Sequence, residues 1–308
     1  MNKKDEKIVI GHKNPDTDTV VSAYLWSSVL RKKGEKSRPA IAGKINKETK
    51  LVFKKAKVDL PKEIDLAGKN IFLVDHNEEK QRAKGVERVV GIIDHHKLSI
   101  TTEGPIFFRN EPLGSTASII KKIIDEQGIE LEKEEKLLLL SAIISDTLKF
   151  NSPTTTETDK NYAKEIAAEI EVDIDKLAEE MFAAKSDLSD LSLKEIIEAD
   201  YKDFEMGESK VGVGVAEVAA VHFFKGKTDS IIEKMKEIKM ENDLDYLFFG
   251  VVDILNKETH LYLIADEEEM KLAKKAFNIE GNKNPEVLRG VASRKKQIVP
   301  PLSKVLKK

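Results

Sequence analysis

The chain has 308 residues, with 52 Lys+Arg, 55 Asp+Glu, six His and no Cys. At roughly 150 residues per domain the length predicts two domains, and an apolar content of 40% excludes wholesale disorder. Without Cys there is no disulfide framework, no Cys-ligated zinc or iron–sulfur cluster and no Cys nucleophile; any metal must be held by His, Asp, Glu or carbonyl oxygens, a donor set that favours harder ions.

The N-terminus, MNKKDEKIVIG, is charged and lacks the apolar core of a signal peptide. No apolar run approaches the ~20 residues of a membrane helix, so the expectation is a cytoplasmic protein. A net charge of −3 gives no strong sign of nucleic-acid binding. Along the chain, Lys7–Ile10 is a short β-branched run that stops at Gly11, and Thr19–Lys33 has a helical pattern closed by Gly34. Pro39–Ala42, Asn70–Val74 and Arg88–Ile93 are further strand candidates. Strands alternating with helices imply a parallel sheet flanked by helices. Helical spacing then dominates over Ser115–Glu126, Lys133–Ser145, Glu157–Glu169 and Ile174–Ala184.

Lys185–Ser192 is polar, rich in capping residues, and the predicted linker. Beyond it Lys210–Val221 alternates as a strand does, Tyr246–Ile254 and His260–Ala265 suggest a strand pair around the turn Asn256–Thr259, and Ser230–Met240 and Glu267–Phe277 are helical. The fold class is therefore α/β: an N-terminal domain with a parallel sheet, and a smaller C-terminal α/β domain.

Four constellations converge on one chemistry. His12, Asp16 and Asp18 follow the first strand; Asp75-His76-Asn77 ends the run NIFLV; Asp94-His95-His96 ends RVVGII; Asp146 closes the apolar helix Leu137–Ile144. Each has an ordinary reading alone: Asp18 as a helix N-cap, Asp16 in a proline turn, a lone His as a packed residue, Asp146 as a frayed helix end. The recurrence weakens those readings. Three apolar runs each end in a His/Asp cluster, the carboxyl ends of parallel strands lie on one edge where ligands bind, and four of the six histidines sit in these clusters. An Asp at a helix C-terminus opposes the helix dipole, a cost that a cation offsets. His12, Asp16, Asp18, Asp75, His95 and Asp146 together form a set large enough for two cations sharing one carboxylate, with octahedral Mn or Mg preferred over Zn.

A fifth constellation is Ser293-Arg294-Lys295-Lys296-Gln297. From Arg289 to Lys308 there are seven Lys+Arg and no Asp or Glu. Most such runs are solvated faces, but the flanking apolar segments Val291–Ala292 and Ile298–Leu302 predict an ordered one. Arg with Lys suits phosphate oxygens, and Lys202 in Asp200-Tyr201-Lys202-Asp203-Phe204 is a further candidate. GxGxxG, GxxxxGK[ST] and HExxH are absent, so dinucleotide, P-loop and zincin readings lack support. Gly212 and Gly214 suggest close backbone packing, and His222 and His260 are taken as structural.

GHKNPDTDTVVSA, LVDHN, IIDHHK, GSTAS, SDTLKFNSPT and SRKKQIVPP resemble, in order, the motifs of the family II, manganese-dependent inorganic pyrophosphatases of the DHH phosphoesterase superfamily. The resemblance implies a DHH metal-binding catalytic domain over 1–187, a hinge over 188–192, a DHHA2-type substrate-binding domain over 193–308, and an active site in the cleft between them. It implies His12 and Asp16 on one metal, Asp18, His95 and Asp146 on the other, and Asp75 as the bridge. The resemblance further implies His96 as the residue that faces substrate and serves as acid, Lys202, Arg294 and Lys295 as the clamp on the diphosphate, and Asp94 and His76 as residues that orient the ligands next to them. The implied cofactors are two Mn2+ (or Co2+) per subunit, with Mg2+ arriving with substrate. The implied reaction is hydrolysis of diphosphate to two phosphates by a metal-bridging hydroxide attacking phosphorus in line, in a homodimer with no nucleic-acid or membrane partner. The alternative within the superfamily is a phosphodiesterase or exopolyphosphatase acting on short oligonucleotides or polyphosphate; a non-enzymatic basic tail for nucleic acid or membrane is the other. Thr19, Lys149 and Thr155 depart from the family pattern, and no room exists for a CBS-domain insert, so adenine-nucleotide regulation is not expected.

Overall fold

In a computed structural model, residues 6–102, 104–264, 267–280, 283–291 and 293–307 are described. Ala265 and Ala292, which the sequence places in apolar segments, and Lys308 of the basic end lie outside these residues. The chain divides into two compact units, Met1–Ala184 and Lys185–Lys308.

The first unit is built on five parallel strands, β1 (Lys7–Ile10), β2 (Ser37–Ala40), β3 (Asn70–Val74), β4 (Arg88–Asp94) and β5 (Phe107–Asn110), in the order β2-β1-β3-β4-β5. The central strands bury Ile8, Ile10, Ile71, Leu73 and Ile92 in one cluster. A strand buried on both faces needs apolar residues at consecutive positions, which is why KIVI, NIFLV and RVVGII run without alternation. The α-helices of this unit among the described residues are α1 (Thr17–Lys32), α2 (Lys47–Ala56), α3 (Thr116–Glu126), α4 (Lys133–Asp146), α5 (Glu157–Ile170) and α6 (Ile174–Lys185). The second strand lies over Ser37–Ala40 rather than Pro39–Ala42, because its pairing with β1 sets Ser37 opposite Lys7 and Ala40 opposite Ile10. The helices α4 and α6 run one residue past their expected ends, to Asp146 and Lys185.

The second unit carries a mixed sheet of β6 (Tyr201–Met206), β7 (Ser209–Val218), β8 (Tyr246–Asp253), β9 (Glu258–Tyr262) and β10 (Glu286–Arg289), ordered β10-β9-β8-β7-β6. Among the described residues only the β7–β8 pair is parallel. The central strand β8 is again buried on both faces: Leu247, Phe249 and Val251 pack with Ile231, Met235 and Ile238 of α8 (Thr228–Glu241) and with Ile196 and Ile197 of α7 (Leu193–Glu198). Phe248 and Val252 pack with Leu272 of α9 (Glu267–Phe277) and Leu302 of α10 (Val299–Leu306). Gly214 allows the close approach that its sequence suggests: a Cβ there would sit 2.4 Å from the Ile197 carbonyl oxygen. Ser192, placed at the end of the predicted linker, is the N-cap of α7 in a reciprocal pair with Glu195. Among the described residues no helix is long and apolar enough to cross a membrane.

Candidate metal centre

The carboxyl ends of β1, β3 and β4 bring their acidic and imidazole side chains to one edge of the first sheet. Asp16 rather than Asp18 caps α1, its Oδ1 accepting from the Thr19 N–H at 2.9 Å. This frees Asp18, the second residue of α1, to face α3: its carboxyl oxygens accept from the Thr116 and Ala117 N–H groups at 2.7 and 3.0 Å and from the Ser22 hydroxyl. A carboxylate at a helix N-terminus is held by unpaired amides and by the dipole. Either Asp of DTD could have been the cap; the contact with α3, distant in sequence, decides it.

Asp75 directly follows β3 in a left-handed conformation (φ 60°), tolerated by Asp more than by most residues. Its Oδ2 accepts from the Thr19 hydroxyl at 2.6 Å and its Oδ1 from the Thr116 hydroxyl at 2.9 Å, both side chains being buried. Thr19 reaches it only because residue 11 has no Cβ, which would lie 2.2 Å from the Thr19 methyl. Asp75 also splits its oxygens between two imidazoles: Oδ2 is 3.5 Å from His12 Nε2, and Oδ1 is 3.5 Å from His95 Nε2. His12 Nε2 is further 3.6 Å from Asp16 Oδ2, and His95 Nε2 is 3.3 Å from Asp146 Oδ2. The other ring nitrogen of each is turned away, His95 Nδ1 lying 2.9 Å from the Leu113 carbonyl and His12 Nδ1 3.0 Å from that of Lys13. Ligand atoms of His12, Asp16 and Asp75 lie within 4.8 Å of one another, as do those of Asp18, His95 and Asp146 and those of Asp75, His95 and His96.

Asp146 is aimed by the way α4 stops. Leu148, Lys149 and Phe150 all adopt positive φ (47°, 51° and 68°), at a cost of roughly 1–2 kcal/mol per residue. The Lys149 N–H to Ile144 carbonyl bond and the Thr147 hydroxyl to Ile143 carbonyl bond close the turn. Lys149 points into an ion pair with Asp175 of α6 at 2.6 Å.

The electrostatics express the excess of carboxylates. Burial, then Asp75, Asp146 and Asp16, push the Asp18 carboxyl well above its ordinary range. Burial pulls His12 down, but Asp16 and Asp75 outweigh it and carry it up to about 11. Burial raises Asp75 too, yet the His12 and His95 rings and the Thr19 hydroxyl hold it well below the usual carboxylate range. Four acids facing two rings is a site short of positive charge. Oxygen and imidazole donors at 3.3–3.6 Å separations fit divalent ions, since neighbouring ligands of an octahedral ion at ~2.1 Å stand about 3 Å apart.

His96 groups with Asp75 and His95, its Nδ1 3.9 Å from Asp75 Oδ1, but it engages Asp94 more closely. Its backbone N–H and Nδ1 both engage Asp94 Oδ1, at 3.1 and 2.9 Å, and its side chain is half exposed. Asp94 raises it to about 9, against the opposing effect of burial. Asp94 thus orients His96 rather than a metal-facing ring, and its other oxygen accepts from Asn77, which also bonds the Lys97 carbonyl and the Ser99 N–H. His76 is buried with Nδ1 on the Val74 carbonyl, and its ring meets His12 edge-on at 6.3 Å.

Glu48 is the residue that sequence reasoning missed. It is fully buried on α2, and its Oε2 accepts from the Thr17 hydroxyl at 2.8 Å and the Ser145 hydroxyl at 2.9 Å. It therefore ties the segment of Asp16 and Asp18 to the segment of Asp146. The only local signal is an Asn46 cap ahead of a charged run.

The predicted anion-binding residues lie in the second unit. Ser293 caps a single wide helical turn, Arg294–Ile298, its hydroxyl accepting from the Lys296 N–H; Gln297 Nε2 donates to the Gly290 carbonyl at 2.7 Å, and Ile298 is buried in the core. Lys295 and Lys296 are exposed, and so is Lys202 on β6, where it lies opposite Val213. Arg294 pairs with Asp200. His260 lies beside Glu258 at 3.1 Å.

Comparison with known proteins finds two family domains in succession along the chain. The DHH family N-terminal domain matches residues 6–143 and the DHHA2 domain matches residues 179–305. A Bacillus licheniformis protein named "Probable manganese-dependent inorganic pyrophosphatase" is 37% identical over 306 residues, covering 97% of this chain and 98% of its own. An Archaeoglobus fulgidus protein of the same name is 41% identical over 313 residues, covering 96% and 97%. The crystal structure of a Methanococcus jannaschii protein assigned to the family II inorganic pyrophosphatases superposes with a TM-score of 0.62 at 38% identity, covering 98% of this chain and all of that one (100%). An exopolyphosphatase-related protein from Bacteroides fragilis shares the fold, at 17% identity and a TM-score of 0.51.

Proposed function

The chain belongs to the manganese-dependent, family II inorganic pyrophosphatases of the DHH family, and from that membership we propose that it hydrolyses diphosphate to two phosphates with the carboxylate and imidazole cluster of the first unit as its metal centre. The observation that carries the reading is Asp75: one buried carboxylate whose two oxygens face two different imidazoles, each with a further acid beside it. His12 and Asp16 would hold one ion, Asp18, His95 and Asp146 the other, and Asp75 both. Two Mn2+ (or Co2+) per subunit, with Mg2+ accompanying substrate, match this donor set. Such ions, when bound, polarise phosphate oxygens and make water acidic enough to attack phosphorus near neutral pH.

The protein's own groups do the rest. Thr19 and Thr116 fix the Asp75 oxygens, and Leu113 fixes the His95 tautomer. His96, with Nδ1 held by Asp94, offers Nε2 to a substrate oxygen and a proton to the leaving phosphate. Arg294, Lys295 and Lys202 supply donors and charge for diphosphate oxygens, Arg as a planar fork and Lys as point charges. A homodimer in the cytoplasm is proposed on the same membership.

The test is phosphate release from diphosphate with Mn2+, Co2+, Mg2+ or a chelator, beside a dinucleotide and polyphosphate. The expected result is rapid release from diphosphate with Mn2+ or Co2+ and none with chelator. Preference for a dinucleotide or polyphosphate would overturn the substrate assignment.

A further inference from the structure

Lys202 and Arg294 are far apart in sequence, yet one residue of the second unit connects them. Asp200 immediately precedes β6, whose second residue is Lys202. The Asp200 carbonyl accepts from the Val215 N–H at 3.0 Å, which anchors the start of that strand, and also from Arg294 Nη1. Asp200 Oδ1 pairs with Arg294 Nη2 at 2.8 Å. The guanidinium is thereby gripped at both terminal nitrogens by one residue. Its side chain is only 13% exposed, whereas that of Asp200 is 59% exposed. One N–H on each terminal nitrogen is engaged, which leaves the second N–H of each and the Nε–H as further donors.

We propose that Asp200 is the positioning residue of the diphosphate-binding cations, holding the Arg294 fork in a fixed relation to the strand that carries Lys202. The proposal rests on the diphosphate reading above. The physical reason is preorganisation. An arginine side chain carries about 2 kcal/mol of rotamer entropy, and a fork held before substrate arrives loses less of it on binding. The opposing effect is repulsion between the Asp200 carboxylate and a polyanion. That carboxylate is solvent-screened and already faces a guanidinium, so the orienting effect outweighs it. Asp203, on the same strand, has no such contact with Arg294 among the described bonds.

The experiment compares wild type, Asp200→Ala, Asp200→Asn, Arg294→Ala and the Asp200→Ala/Arg294→Ala double variant, by diphosphate steady-state kinetics and by manganese content. Asp200→Ala is expected to lower kcat/KM about 10- to 100-fold, the scale of a misplaced binding group, with manganese content unchanged. Asp200→Asn should recover much of the loss, because its amide oxygen still accepts from Nη2, the contact that Ala removes, whereas the backbone contact to Nη1 is common to both variants. The double variant should be no worse than Arg294→Ala, since removing the brace costs nothing once its arginine is gone. An unchanged or improved kcat/KM in Asp200→Ala, or an additive loss in the double variant, would overturn the positioning role while Arg294→Ala still reports on the clamp. No phosphate release by wild type would instead overturn the substrate reading itself.

Discussion

The two units solve opposite electrostatic problems by different means. The first gathers four acids and two imidazoles against the ends of β1, β3 and β4, with Asp18 and Asp75 almost wholly buried. Converging carboxylates without a cation are unfavourable, so the scaffold fixes them with many separate groups: two amides of α3, the Thr19 and Thr116 hydroxyls, and Glu48 behind. The second unit leaves Lys202, Lys295 and Lys296 in solvent and braces Arg294 through Asp200. A cation site needs desolvated donors at set distances, whereas phosphate oxygens can be met by exposed ammonium groups around one oriented fork. The contrast is local: the second unit has more Asp+Glu than Lys+Arg, as the first does, and only its last twenty residues are purely basic.

Substitutions can break that contrast, and the largest effect is expected at Asp75. Asp75→Ala removes the shared ligand, so turnover should fall to background, a loss of ~10³-fold or more, and equilibrium dialysis should show both manganese ions lost; retention of two tight ions would remove it from the bridge. Arg294→Ala should cost ~10²–10³-fold in kcat/KM, with Arg294→Lys recovering only part because the fork is absent; a full rate in Arg294→Ala would take it out of the clamp. Glu48→Gln and Thr19→Val act through the ligands, and manganese affinity measured by titration should weaken by ~10–100-fold, the usual scale for residues behind a metal ligand. Affinity at wild-type strength in both would mean that the first unit is less tightly preorganised than its hydrogen bonds indicate. The smallest effect is expected for Lys149→Leu. Its ion pair with Asp175 is partly exposed, so thermal unfolding should shift by no more than ~1 kcal/mol, and manganese binding should not change.

What could be read from the sequence follows the same contrast. The strands of the first unit announce themselves because burial on both faces demands unbroken apolar runs, and each run stops at the residue where chemistry begins. The four constellations were visible because they repeat. What could not be read is set by contacts distant in sequence. The helix α2 (KETKLVFKKA) is too charged to stand out, so Glu48 was invisible as a brace. The left-handed turn at Leu148–Phe150 has no glycine to mark it. The short strand β5 leaves Phe107 and Phe108 exposed, and β6 alternates weakly with two charged residues near its start. Asp200 looked like context for Lys202 until the fold brought Arg294 to it.

The separation of roles between the two units is tested most directly by the manganese stoichiometry of Arg294→Ala protein that has lost its turnover. The account predicts two ions per subunit, bound as tightly as in wild type, because every residue assigned to the metals lies in the first unit. Loss of manganese in step with activity would contradict it.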